Sequence, residues 1–150
     1  MDSALSMFLA MALALAAPAG HAQEPEYFSH GMPDAGPTEV YLQYARAIHA
    51  ADSPEAIFPY SPQPAAQVRA SLAGMTPDQV EQALGFMRSL VPVQPEVLSE
   101  TVDGDTATLE VRGALPGMLD GEPSPHRGTV TLVRVGGEWK ISNQSFEEEG

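Results

Sequence analysis

Cysteine is absent from this 150-residue chain. Without it there is no disulfide, no thiolate metal site, no cysteine nucleophile and no cysteine to carry a lipid. Positive charge is scarce: 7 Lys and Arg residues stand against 20 Asp and Glu, for a net charge of −13. A chain so acidic repels phosphate backbones and anionic headgroups, which argues against nucleic acid and membrane surfaces as partners. Long hydrophobic runs are missing too, since the Met7 to Ala17 run falls short of the ~20 apolar residues a bilayer-spanning helix requires. Motifs for chemistry are equally thin. His30, His49 and His126 are scattered, with no His-x-His or His-Glu-x-x-His spacing. Ser71 sits in Ala-Ser-Leu-Ala-Gly rather than in a Gly-x-Ser-x-Gly elbow. Asp103-Gly104-Asp105 has Ala107 where a calcium loop needs a third oxygen ligand. It reads as a turn. The expectation is no metal and no cofactor.

What is present begins with export. Met7 to Ala17 has the length of a signal-peptide h-region, and Pro18 and small residues follow it. Gly20-His21-Ala22 places cleavage after Ala22, with a second site after Ala19, although Met1-Asp2-Ser3 carries an acid and no base. Residues 1–22 are therefore read as a signal peptide, and the protein as periplasmic or secreted, with no stable membrane insertion once the signal is removed. Residues 23–37 mix Pro, Gly, His and acids without periodicity and are read as a flexible lead-in, with Tyr27-Phe28 available to pin it. Residues 38–146 form one domain, and 147–150 an acidic, solvated tail.

Within the domain, helical spacing comes first. Thr38 is the expected N-cap of a helix whose Val40, Tyr41, Tyr44, Ala45, Ile48 and Ala51 share one side. Asp52-Ser53-Pro54 ends it and starts a short helix through Phe58. Pro64 to Ala73 is a further helix, with Gly74 as its left-handed cap. Thr76-Pro77-Asp78-Gln79 is a capping box opening a helix with the stripe Val80, Ala83, Leu84, Met87, Leu90 and Val91. Strands follow. Val97 to Val102 leads into the Asp103-Gly104-Asp105 turn, and Thr106 to Val111 alternates with Ala107, Leu109 and Val111 on one face. A Pro/Gly-rich loop spans Gly113 to Arg127. Gly136-Gly137 then joins Thr129–Val135 to Glu138–Ser142 as a hairpin, with Trp139 and Ile141 on the dry face and Glu138, Lys140 and Ser142 on the wet one. Helices first and an antiparallel sheet afterwards means α+β, N-terminal helices packed on a curved antiparallel sheet.

The strand Thr-Ala-Thr-Leu-Glu-Val and the hairpin Thr-Val-Thr-Leu-Val-Arg-Val-Gly-Gly-Glu-Trp-Lys-Ile, after a long opening helix, resemble the nuclear transport factor 2-like superfamily, in particular its small secreted bacterial domains. The resemblance covers Thr38 to Phe146 and implies a cone with a cavity between the opening helix and the sheet. It implies Tyr41, Tyr44, Met87 and Trp139 as cavity lining. Strand register puts Glu100 beside Leu98 and Val102, where it could serve as a base; the other register sends it to solvent. The reading is an exported non-catalytic domain binding a small apolar ligand or a protein partner. The alternatives are a cavity enzyme of the isomerase, dehydratase or cyclase type using Glu100, and a module that forms homodimers through its sheet, where Val133 and Val135 lie opposite Leu132.

Overall fold

The computed structural model describes residues 25–116 and 122–149; the expected signal peptide and its cleavage site lie outside them. Helix α1 (Pro37–Ala50), a 3-10 helix (Pro54–Tyr60), α2 (Ala65–Ala73) and α3 (Pro77–Ser89) precede four strands, β1 (Glu96–Asp103), β2 (Thr106–Leu115), β3 (Ser124–Val135) and β4 (Glu138–Glu148). The strands pair antiparallel in sequence order. This is the α+β arrangement that the order of helical and alternating segments predicts. The core lies between α1 and the middle of the sheet. Val40, Tyr41, Ala45 and Ile48 from α1 meet Leu109, Val111, Val130 and Leu132, all fully buried.

Local signals account for much of this. Thr76 and Gln79 form the full capping box at α3, with N–H donations of 3.2 Å to Thr76 Oγ1 and 2.9 Å to Gln79 Oε1. Gly136 and Gly137 both take positive φ, 60° and 83°, which a tight hairpin turn matching strand twist demands. Leu132 pairs with Ile141 and Arg134 with Trp139, so Trp139 and Ile141 share the core face of Leu132.

Four expectations are corrected. The N-cap of α1 is Gly36, not Thr38, because Pro37 takes the first helical position. The cap comes from elsewhere: Glu100 Oε1 accepts from the Thr38 N–H at 3.1 Å and its hydroxyl at 2.7 Å. Gly74 is not left-handed, standing at φ −90°, ψ 4°, while the Met75 N–H closes a tight last turn on the Leu72 carbonyl at 3.0 Å. The Gly113 to Arg127 segment is largely strand, since β2 runs to Leu115 and β3 starts at Ser124. Its glycines mark close approach rather than a break. A Cβ on Gly128 would sit 2.0 Å from the Ser145 carbonyl oxygen, and one on Gly113 2.7 Å from the Pro92 ring.

The fourth correction concerns the wet face of the hairpin. Glu138 and Lys140 are buried, as is Trp139 between them. A strand can bury successive residues only if both sides are covered. Here the lead-in supplies the second cover: the segment read as flexible is tied along β4, an edge of the sheet. The His30 Nε2 bonds the Trp139 carbonyl at 3.1 Å, and the Ala65 N–H bonds the Glu26 carbonyl at 2.7 Å. The Phe28 ring packs 5.0 Å from that of Phe58, with the Arg69 guanidinium also 5.0 Å from it. The first three residues of this edge strand, Glu138 to Lys140, are thereby covered.

Candidate functional site

Two places bring functional groups together. The first is the polar cluster under the lead-in. Glu138 accepts from Ser29 Oγ at 2.6 Å, from the His30 N–H at 3.1 Å and from Lys140 Nζ at 3.2 Å. Lys140 Nζ also donates to the carbonyls of Phe28 and Pro59, each at 2.5 Å, so all three ammonium donors have partners. His30 Nδ1 accepts the Met32 N–H at 3.2 Å, which places the ring proton on Nε2, facing the Trp139 carbonyl. Burial alone would push the Glu138 carboxyl up, but the hydrogen bonds from Ser29, His30 and Lys140 outweigh it and hold the carboxyl below the ordinary glutamate value. Burial draws Lys140 below its ordinary value, with Glu138 opposing. The side chains of His30, Glu138 and Lys140 are 1%, 9% and 1% exposed. Their donors and acceptors are engaged by the chain itself. The cluster fastens the lead-in and presents no opening to a substrate.

The second is a cleft of about 550 Å³, within the range of roughly 300–1,000 Å³ typical of small-molecule sites. One wall is the apolar stripe of α3, Val80, Ala83, Leu84 and Met87, with Leu90 at its C-cap. Val68 and Leu72 from α2, with Ile57, Phe58 and Tyr60 from the 3-10 helix, form another, and Tyr44 of α1 and Ile141 to Gln144 of β4 complete it. The α3 stripe has the period of a core face, yet within α3 only Leu84 is buried. Its remaining side chains face the cleft. Burial raises the Tyr44 phenol above its ordinary value, against a smaller pull from the neighbouring Gln144 amide. Gln144 Oε1 is left buried with no partner, a situation that costs free energy until a donor reaches it. Among the described residues lining this cleft there is no Asp, Glu, Lys, Arg or His.

The residues singled out by sequence fall in different places. Tyr44 and Met87 line the cleft; Tyr41 and Trp139 are buried in the core and are not among its lining residues. Burial pushes the Tyr41 phenol well above its usual range, Tyr44 adding to it, and its hydroxyl has no partner. The candidate base Glu100 does not reach the cleft. It pairs with Leu109 and so shares the core-facing side, but β1 is an edge strand, and there the exposed carboxylate caps α1. Leu98 sits at an irregularity between Val97 and Ser99, which is why simple alternation could not place Glu100. His49 Nε2 bonds the Val91 carbonyl at 2.7 Å and His126 Nδ1 the Ser124 carbonyl at 2.9 Å, so both rings are engaged locally. Sequence reasoning missed Gln144, which lies two residues past the hairpin strand it followed. An irregularity between Thr131 and Leu132 pairs Gln144 with buried Val130, and no local pattern announces that shift.

Comparison with known proteins adds little. No known protein family matches the chain, and no curated protein matches it. Among solved structures it matches a SEC-C motif containing protein from Rhodopseudomonas palustris at 15% identity and a TM-score of 0.35, over 70% of this chain and 90% of that one. A likeness so loose carries no argument about fold or function. The resemblance to the nuclear transport factor 2-like superfamily is corrected on these findings: the structure matched is a SEC-C motif protein, and no family, that superfamily included, matches the chain. The hairpin that suggested it, Gly-Gly-Glu-Trp-Lys-Ile, encodes a tight turn and one buried aromatic, which any antiparallel meander can use.

Proposed function

We propose that this protein is an exported, non-catalytic binding domain whose cleft between α2, α3, the 3-10 helix and β4 takes a small apolar ligand. Export rests on the Met7 to Ala17 run and the small residues up to Ala22. The observation that carries the binding reading is the α3 stripe. Its apolar side chains are built at core spacing but turn into an open cleft, where Val68, Leu72 and Phe58 face them. Apolar surface left uncovered in this way gains roughly 25 cal/mol for each Å² a ligand removes from water. Met75 and Met87, both on the lining, are unbranched and can adapt to an irregular occupant.

Titration with the neutral dye N-phenylnaphthylamine tests this. Saturable fluorescence enhancement is expected with the wild-type protein. Ala83→Trp, which fills the cleft from a half-buried position, should abolish the enhancement while the melting temperature stays near wild type. Dye binding that ignores the filled cleft, or no saturable binding, would overturn the reading.

A further inference from the structure

We infer that the ligand is uncharged and carries a hydrogen-bond donor, an alcohol or an amide N–H at the end of an apolar body, rather than a fatty acid or an amine. This rests on the cleft being a binding site. Two observations support it. The described lining residues include no carboxylate, ammonium, guanidinium or imidazole. Four other clefts among the described residues have charged or imidazole groups on their walls: His126 and Glu148 in one, Arg88 and Glu81 in another, Arg69 and Glu55 in a third, Arg46 and His49 in a fourth. In a protein with 20 acids, a cleft this size without one is a chemical selection. A carboxylate or ammonium entering it would leave water and meet no opposite charge. The second observation is Gln144. It lines the cleft, and its buried Oε1 has no hydrogen-bond partner. A hydroxyl or amide N–H supplies one, whereas an ionised carboxylate is acceptor-only. The protein's net charge of −13 further lowers the local concentration of anions.

Competition against bound N-phenylnaphthylamine at pH 8 separates the possibilities, using dodecanol, dodecanoate and dodecylamine, which share one apolar chain. Dodecanol should displace the dye at a concentration at least about tenfold below that of dodecanoate or dodecylamine, the difference expected when a buried group lacks its partner. Gln144→Leu should erase much of the advantage of dodecanol over its methyl ether, which has no donor. A second variant guards against misfolding: Val80→Lys puts a cation on the α3 wall and should raise dodecanoate affinity, a gain that unfolding cannot imitate. Equal displacement by alcohol and carboxylate, or a preference for either ion in the wild-type protein, would overturn the assignment of ligand class while leaving the cleft a binding site. Failure of the dye itself to bind would overturn the cleft reading instead.

Discussion

At the scale of single residues, Lys140 and Glu138 behave least as their type and spacing suggest. On an alternating strand they belong to the wet face, yet they are 1% and 7% exposed. Their burial is tolerable because every Lys140 donor has a partner and the carboxylate accepts from three groups. Such a pair contributes little net stability over an apolar replacement, while breaking it leaves one buried charge uncompensated at about 3–5 kcal/mol. Glu138→Gln keeps the side chain's shape and removes its charge, so the variant should lose about 3 kcal/mol of unfolding free energy. Adding Lys140→Met removes the stranded ammonium and should recover part of that loss. Urea unfolding of the two variants measures both effects. A double variant less stable than Glu138→Gln would show that Lys140 stabilises through its backbone carbonyl bonds rather than through Glu138.

At the scale of elements, α1 carries almost no cap of its own. Its N-cap is Gly36 and its C-cap Ala51, and neither has a capping side chain. Both ends are completed from afar by charge of the favourable sign. Glu100 of β1 takes the first-turn N–H of Thr38. At the other end Arg88 of α3 donates to the Ile48 carbonyl at 3.0 Å and to that of Ala51. An anion at the N-terminus and a cation at the C-terminus both complement the helix dipole. Glu100→Gln should therefore cost a melting shift corresponding to about 0.5–1 kcal/mol, and the half-buried Arg88→Met about 1–2 kcal/mol. Thermal melts at low and high salt check this: the Glu100 effect should shrink with salt more than the Arg88 effect. Equal salt sensitivity would count against the difference in burial. These caps also mark where the sequence stops being legible. The capping box of α3 and the Gly136-Gly137 hairpin are written within a few neighbouring residues and could be read directly. The Thr38–Glu100 cap spans 62 positions and the Ser29–Glu138 bond 109, so no window of local periodicity contains them. The cleft was half legible for a related reason. Periodicity located the α3 stripe, but an apolar face announces only that it avoids water, not whether protein or ligand covers it.

At the scale of the molecule, acidity and the buried pair pull in opposite directions as pH falls. The chain has a net charge of −13 at pH 7 and a sequence pI near 4.4, so acidification first relieves mutual repulsion among surface carboxylates. That relief is small at physiological salt, where exposed charges are screened beyond about 8 Å. Glu138 is buried and escapes most of the screening. Its carboxyl titrates below the ordinary value in the folded chain, so the unfolded chain binds that proton first as pH drops. The stability it supplies is complete above the unfolded value of about 4.3 and disappears as pH falls through the lower folded value. Urea midpoints at 0.15 M salt (roughly physiological) should be nearly flat from about pH 8 to pH 5 and then decline below about 4.3. In Glu138→Gln the decline should be shallower by up to about one proton, from a lower plateau. Parallel acid limbs in the two proteins would mean that other carboxylates drive the loss, and that the fastening of the lead-in does not sense pH through Glu138.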